Sequence, residues 1–208
     1  METAPDPFEH FFDLPWSDGL PVVTPTEARL AWMLEGTSRA PGEVLGPVPP
    51  ADHEATVEGA AMHAVMAGCR PAHLPLVLGA LEALLIESFN LGGIQATMGP
   101  GGPLLILNGP FAREAGLHAG SGCFGPGFRA NATVGRAIRL LLMNLGGALP
   151  GISDMSTFGS PCKFTYCVRE NEEQSPWPPL AADRGFGAGE NVLTAMNGEA
   201  PRMAMDDT

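Results

Sequence analysis

A glycine-rich loop at residues 118–131 carries the residue types best suited to binding a small anion. The loop reads HAGSGCFGPGFRAN, and its glycines permit the backbone conformations needed for close approach to a ligand. A predicted helix begins at Asn131, so its free N–H groups and Arg129 would face a carboxylate or phosphate. The predicted binding residues are Asn108, Gly125, Gly127, Arg129 and Asn131. The alternative is a structural turn with a helix capped by Asn131 or Thr133.

The same loop formally contains the GxGxxG motif of dinucleotide-binding proteins, at Gly120, Gly122 and Gly125. That motif requires a preceding strand, an uninterrupted turn and a ribose-binding acid further along the chain. The residues before this loop do not read as a strand, Pro126 interrupts the turn, and no acid follows at the usual distance. We therefore predict no nucleotide cofactor.

A second candidate site lies on residues 163–170, KFTYCVRE, whose alternation predicts a strand. A period of two places Cys167 on one face with Lys163 and Arg169, where cations would stabilise a thiolate. We predict a catalytic role for Cys167, the alternative being a small buried filler. Cys162 falls on the opposite face, so the two thiols are poorly placed to chelate one metal ion.

Carboxylates and a further thiol complete the set of predicted catalytic residues. Glu170 and Glu172 follow the predicted strand, where they could bind a metal or act as a general base, unless they belong to a solvated charge run. Cys69 lies between two predicted helices, and its pKa depends on which helix end the thiol faces. The histidines form no HxH or HExxH pattern, so a metal site would have to be assembled across the fold.

The elements that must position these residues are mostly predicted from helix caps, periodicity and breakers. We predict helices at residues 24–34, 56–67, 75–88, 110–115 and 131–145, strands at 20–23, 104–107 and 163–170, and an extended connector at 40–50. The fold class is α/β, with helices packed on a small mixed sheet and Gly/Pro-rich loops. Residues 17–190 form one domain, preceded by an acidic aromatic arm (1–16) and followed by a tail (191–208).

Composition narrows the function classes. The formal charge is −12, from 23 acidic and 11 basic residues, which disfavours nucleic-acid binding. Residues 1–16 contain no Lys or Arg, unlike a secretory signal or presequence, and no apolar run approaches the roughly 18 residues of a membrane span. We expect a soluble cytoplasmic protein with reduced thiols. The chain is 45% hydrophobic and 16% charged, which is apolar for a soluble protein and is compatible with a large interface to another subunit.

Five motifs occur in an order that resembles a bacterial family of unassigned function, linked with proteins bearing the UGSC motif (selenocysteine or cysteine). The motifs are DGLPVVTPT (18–26), MAGCRP (66–71), LNGP (107–110), FGPGFRANATVGR (124–136) and KFTYCVRENE (163–172). The resemblance covers residues 17–190 and implies that Cys69 and Cys167 match the family pattern, whereas Cys123 and Cys162 are particular to this chain. Members of that family continue beyond the point where this chain stops, which implies either that the missing portion is a separate polypeptide or that the active unit has been pared down; we expect the former.

Together these features predict an enzyme, or an enzyme subunit, that acts on a small anionic molecule. Cys69 or Cys167 would supply a nucleophile or a metal-binding thiolate, and Glu170 or Glu172 a base. The expected partner is a second protein subunit or another copy of the chain, and the cofactor is unassigned. The alternatives are a non-catalytic subunit that completes a catalytic chain, or a metal-dependent lyase or hydrolase with His and Glu ligands.

Overall fold

The strands form two small sheets in the computed structural model, which describes residues 6–201. In chain order they are β1 (Val44–Val48), β2 (His53–Thr56), β3 (Gly102–Asn108), β4 (Cys167–Arg169) and β5 (Val192–Gly198). β1 pairs antiparallel with β2, whereas β3 lies between a parallel β4 and an antiparallel β5. The three-stranded sheet is therefore mixed.

Helices surround these sheets, and most of their mass lies in three long segments. In chain order the helices are α1 (Pro7–His10), α2 (Glu27–Leu34), α3 (Val57–Ala67), α4 (Leu74–Leu85), α5 (Leu91–Gln95), α6 (Pro110–Glu114), α7 (Arg129–Asn144) and α8 (Leu180–Asp183). Helices packed with a small mixed sheet confirm the predicted α/β fold class.

Helices α3, α4 and α7 pack on one another to form the centre of the hydrophobic core. The side chain of Thr56 accepts a hydrogen bond from Gly59 N at 3.0 Å and caps α3. Gly68 ends the helix with a φ of +89°, a left-handed conformation that glycine adopts without strain. Ala60, Ala61 and Ala64 are fully buried, because short side chains let α3 approach its neighbours closely. The predicted helix at 56–67 is confirmed.

Helix α7 is clamped between the core and the segment that leads into β4. Val134, Ile138 and Leu141 bury the predicted apolar stripe. On another side, Arg136 forms a two-pronged ion pair with Asp18, at 2.7 and 2.8 Å. The same guanidinium also donates to the carbonyls of Leu20 and Pro21. Residues 20–23 are therefore held by a side chain and not by a strand partner, so the strand predicted there is wrong.

Strand β5 lies in the segment that we assigned to a tail. It pairs with β3 over seven residues, from Gly102 opposite Gly198 to Asn108 opposite Val192. The pairing partner lies far away in the sequence, and the segment VLTAMNG has no strong local signal of its own. The tail interpretation of residues 192–198 is wrong for that reason. The connector predicted at 40–50 likewise contains β1.

The predicted strand at 163–170 is shorter in the structure. Residues Pro161–Lys163 form a 3₁₀ turn, and only Cys167–Arg169 pair with β3. Among the aromatic residues of the predicted arm, Trp16 packs against the core, and the Phe11 ring lies 5.6 Å from the Trp16 ring. Residues 1–5 and 202–208 lie outside the described range.

None of the helices described for residues 6–201 has by itself the length and apolar character of a membrane span. One helix pair, Pro71–Leu85 with Glu87–Gln95, meets both criteria jointly but is bent by 75°.

Candidate functional site

The predicted site residues separate into two groups. Around the start of α7 lie Cys69, Gly125, Gly127, Arg129, Asn131 and Cys167. The other three, Asn108, Glu170 and Glu172, gather where the parallel strands β3 and β4 end. Because Cys167 begins β4 and Glu170 follows its last residue, the strand rise separates them by about 10 Å. This distance joins the two Cα atoms, so the structure places the predicted thiols in one group and the predicted bases, Glu170 and Glu172, in the other.

The glycine loop is held in shape by the side chain of Asn131. Its Oδ1 accepts a hydrogen bond from His118 N at 2.8 Å. Its Nδ2 donates to the carbonyls of His118 and Cys123, at 3.0 and 3.1 Å. Asn131 is buried, and these bonds occupy its amide, so Asn131 shapes the loop from inside and its side chain does not face a ligand. Gly127, at a φ of +112°, makes the turn that a residue with a side chain would resist.

No side chain among residues 6–201 caps the first turn of α7. Its N-cap residue is Phe128, which offers no acceptor, and the cap predicted at Asn131 or Thr133 is wrong. Asn131 bonds within the loop, and the Thr133 hydroxyl donates backwards to Arg129 O at 2.8 Å. The N–H groups at the start of a 16-residue helix thus stay available for an acceptor from outside.

Arg129 stands beside this helix start with part of its guanidinium already engaged. Its Nε donates to Gly68 O at 2.9 Å, and its Nη2 lies 3.5 Å from Cys69 O. These carbonyls lie just past the end of α3, where the helix dipole favours a cation. The contacts fix the orientation of Arg129, whose residue remains largely exposed to solvent.

The two thiols that we predicted to be catalytic are both buried. Burial raises the pKa of Cys69 to about 12, although a hydrogen bond with Thr133 and the charge of Arg129 act in the opposite direction. Burial also raises the pKa of Cys167, and the neighbouring Cys69 raises it further. Both are therefore protonated thiols at neutral pH, with low nucleophilicity.

The prediction that Cys167 lies between cations on a polar face is wrong. Lys163 belongs to the 3₁₀ turn and donates to Asp154, while Arg169 pairs with Glu173. Helix α7 packs over the face of β4 on which Cys167 lies and encloses the thiol in the core. The alternative that we kept open, a small buried filler, describes its surroundings better.

A cavity of about 260 Å³ opens between the glycine loop, the first turn of α7 and the residues before β4. Its polar and thiol-bearing lining residues are Cys123, Asn131, Cys162, Thr165, Tyr166 and Cys167. Cys123 and Cys162 are half-buried, so their thiols are more accessible than those of Cys69 and Cys167. Sequence reasoning did not select them, because the resemblance marked both as particular to this chain and no spacing motif links them.

Tyr166 ties one of these accessible thiols to the wall of the cavity. Burial raises the pKa of Tyr166, and the charge of Cys162 and its hydrogen bond to the tyrosine hydroxyl raise it further. The same hydroxyl donates to Glu199 O at 2.7 Å. Tyr166 is therefore a neutral hydrogen-bonding group at neutral pH and keeps the Cys162 thiol in place.

A buried histidine that we had not selected packs near Cys69. His73 Nδ1 accepts a hydrogen bond from Arg70 N at 3.2 Å, and its Nε2 donates to Ala115 O at 3.1 Å. Burial lowers the pKa of His73, and the charges of Arg129 and Arg70 add to that decrease. His73 is therefore neutral at physiological pH, with both ring nitrogens occupied.

The second group of predicted residues forms a carboxylate cluster centred on Asn108. Its Nδ2 donates to Glu170 Oε2 at 2.6 Å and to Glu172 Oε1 at 2.5 Å. Glu172 also accepts from Gly109 N, and Glu170 accepts from Leu180 N, at 3.1 and 2.9 Å. The solvated charge run that we considered is wrong for these two half-buried glutamates. They hold the ends of β3 and β4 to the segment that starts α8.

Asn108 is only 2% exposed, and its Oδ1 has no hydrogen-bond partner within residues 6–201. In that same range, no three His, Cys, Asp or Glu side chains are grouped so that they could hold a metal ion.

Comparison with family models, with curated proteins and with solved structures finds no match to this chain. The resemblance to the UGSC-associated family stays a prediction.

Proposed function

We propose that the chain is an enzyme, or an enzyme subunit, that acts on a small anionic molecule bound at the start of α7. The observation that carries the proposal is that an uncapped helix start opens beside a cavity lined by three thiols. Free N–H groups at such a position bind carboxylate and phosphate oxygens. The thiols on the same cavity wall then lie within reach of the bound molecule.

Two further features support binding of an anion at this place. Arg129 contributes a positive charge beside the helix start, and its contacts with Gly68 O and Cys69 O limit its freedom. The loop of residues 120–127 is exposed, and its glycines leave the backbone open to a ligand. The protein therefore provides charge, N–H donors and an orientation that is set before the ligand arrives.

Under this proposal the thiol next to the bound molecule is Cys162 or Cys123, whereas Cys167 lines the cavity as a buried, protonated thiol and Cys69 is buried outside its lining. This assignment replaces the roles that we expected from the sequence. Cys162 lies close to the Tyr166 hydroxyl, whose proton is donated to Glu199 O, so the hydroxyl offers the thiol an acceptor.

The proposal is tested by measuring the melting temperature of the protein with phosphate, malonate and chloride. Phosphate or malonate should raise the melting temperature because an anion that binds only the folded state stabilises it. Arg129→Gln should weaken the response by about tenfold in concentration, since a charge-assisted contact is lost. Arg184→Gln, which removes an exposed arginine elsewhere, is the matched control.

Thiol alkylation, measured in the same samples as the melting temperature, provides a second test. The bound anion should also slow alkylation of Cys162 and Cys123, because it fills the cavity that they line. An equal response of the Arg129→Gln and Arg184→Gln variants, with unchanged alkylation, would refute the proposal.

A second candidate function, a non-catalytic subunit that completes a catalytic chain, is favoured by one observation. Both thiols implied by the family resemblance are buried and have raised pKa values. If all four thiols resist alkylation in the folded protein at neutral pH, the structural role is the better one.

A further inference from the structure

A second and larger cavity, of about 550 Å³, opens on the other side of the 3₁₀ turn Pro161–Lys163. Pro161 lines both cavities, whereas Cys162 faces the thiol-lined cavity and Lys163 the larger one. None of the site residues predicted from the sequence lines this cavity. Its size suits a small organic molecule.

The polar part of this cavity is an ion cluster centred on Asp154, which is 5% exposed. Lys163 Nζ donates to both carboxylate oxygens, at 2.8 and 2.7 Å, and Arg139 Nη2 donates to one at 3.2 Å. Burial alone would raise the pKa of Asp154, but Lys163, Ser156 N and Arg139 lower it below its usual value. The carboxylate is therefore charged at neutral pH.

The charges lining the cavity do not cancel. Asp18 also lines it but is neutralised by Arg136, which binds both of its oxygens. Two cations, Lys163 and Arg139, then face the carboxylate of Asp154, so the charges of the described lining residues sum to one positive charge. The Lys163 and Arg139 side chains are only 11% and 12% exposed, which makes an uncompensated charge here more costly than on the surface.

Both cations also have hydrogen-bonding capacity left. An ammonium has three N–H donors and a guanidinium five. Within the described part of the chain, Lys163 Nζ bonds to Asp154 alone, and Arg139 bonds through Nη2 to Asp154 and to Ala148 O. The remaining donors suit an oxyanion.

The rest of the cavity wall is apolar. Met143, Pro150 and Pro161 line it, and the rings of Phe158 and Phe164 lie at its exposed side. Phe158 and Phe164 are 84% and 47% exposed, so they present neighbouring apolar surface to solvent at the cavity. An aromatic or aliphatic body inserted between these groups would remove that surface from water.

We propose that this cavity binds a small amphipathic monoanion, with its carboxylate or equivalent oxyanion on Lys163 and Arg139 and its apolar body along Phe158 and Phe164. The site is separate from the start of α7, so it goes beyond the function proposed above. A monoanion is favoured because it balances the single excess charge.

Isothermal titration with two ligands of the same shape, phenylbutyrate and phenylbutanol, tests the proposal on the full chain. The carboxylate should bind more tightly than the alcohol by about tenfold or more, as expected for charge-assisted hydrogen bonds. Lys163→Met should remove that preference while Asp154 keeps its bond to Arg139, and Lys163→Arg should retain it. Arg129→Gln should leave unchanged the phenylbutyrate binding that Lys163→Met weakens, which separates this site from any carboxylate binding at the α7 site.

Phe158→Ala provides a test that does not depend on the buried ion cluster. Since Phe158 is exposed, its replacement should leave the fold intact and weaken both ligands equally. Equal affinity of the two ligands, or no measurable binding of either, would overturn the proposal. It would also be overturned if the chain formed a dimer that Phe158→Asp dissociates, because the rim would then be covered by a second copy.

Discussion

At the scale of single residues, burial divides the four cysteines into two pairs. Cys69 and Cys167 are buried, whereas Cys123 and Cys162 are half-buried, although Cys167 lines the same cavity as these two. Only a thiolate reacts rapidly with an alkylating agent. Burial therefore protects Cys69 and Cys167 in two ways, because it limits access and raises the pKa of each thiol. We expect iodoacetamide to modify Cys123 and Cys162 before Cys69 and Cys167 in the folded protein.

Peptide mass spectrometry over a time course measures that order. Protein unfolded in urea is the control, because all four thiols should then react at similar rates. Modification of Cys69 first, while the protein stays folded, would show that the buried pair is accessible and would restore the role expected from the sequence.

Asn108 is the residue on which the carboxylate cluster depends. Its Nδ2 is the donor that satisfies one oxygen each of Glu170 and Glu172. Asn108→Asp would place a third carboxylate among them, so the free energy of unfolding at neutral pH should fall by about 3 kcal/mol. The loss should shrink as the pH falls towards about 4, the usual pKa of an aspartate, because the introduced side chain then becomes neutral.

Urea unfolding of the variant at two pH values checks this expectation. Asn197→Asp is a suitable control because Asn197 is exposed and should tolerate the charge. If both variants lose the same stability, the cluster does not depend on the Asn108 amide.

At the scale of elements, Gly135 determines how closely α7 approaches the segment before β4. A methyl group there would lie 2.7 Å from Tyr166 N and would also meet the Thr165 hydroxyl. Overpacking of this kind costs about 3 kcal/mol at the upper end of its usual range, against a gain in helix propensity of about 1 kcal/mol. Gly135→Ala should therefore destabilise the protein by about 1–2 kcal/mol and disturb the thiol-lined cavity.

Gly79→Ala is the matched control, since Gly79 lies in α4 and its added methyl group would have no neighbour within 4 Å. This variant should gain about 0.5–1 kcal/mol, because alanine is the better helix former. Thermal unfolding of both variants gives the comparison. A stabilised Gly135→Ala protein would mean that α7 and the Tyr166 backbone do not approach so closely.

Elements with local signals could be predicted from the sequence, and elements held by distant partners could not. The cap at Thr56, the terminating Gly68 and the apolar stripe of α7 lie within their own helices and predict them directly. Strand β5 forms only because β3 offers a complementary edge, and residues 20–23 take their shape from Arg136. The residues that determine these two structures lie far apart in the sequence, so no short segment predicts them.

The same distinction explains the candidate site. The glycine loop and the helix that follows it have local signals, so both could be predicted, but Asn131 was expected to face a ligand and instead bonds within the loop. The surroundings of Cys167 depend on which element covers its strand, which the sequence does not show. The thiol-lined cavity and the ion cluster on Asp154 each combine several distant segments.

At the scale of the whole molecule, two buried histidines make stability depend on pH. His63 donates from Nδ1 to Gly59 O at 2.7 Å, and its Nε2 accepts from Asn144 Nδ2 at 3.2 Å. Protonation of Nε2 would make it a donor that faces the amide donor of Asn144. Burial lowers the pKa of His63 and of His73 in the folded protein. The unfolded chain, with a histidine pKa of about 6.5, therefore binds more protons in the range just below that value.

The free energy of unfolding should therefore have its full histidine contribution above about pH 6.5 and lose it progressively as the pH falls below that value. His63→Gln should reduce this dependence, while His53→Gln, at an exposed position, should not. Melting temperatures measured from pH 7 to pH 5 give the two slopes. An unchanged slope in His63→Gln would show that His63 does not contribute.

Binding of a small anion at the start of α7 is tested most directly by following backbone amide signals of the isotope-labelled protein during titration with inorganic phosphate. We expect the amides of Arg129, Ala130 and Asn131 to shift saturably, because they are the uncapped donors of the helix. The shifts should be much smaller in Arg129→Gln. Unchanged signals at these three residues, in a folded protein whose other amides respond to phosphate, would contradict the site.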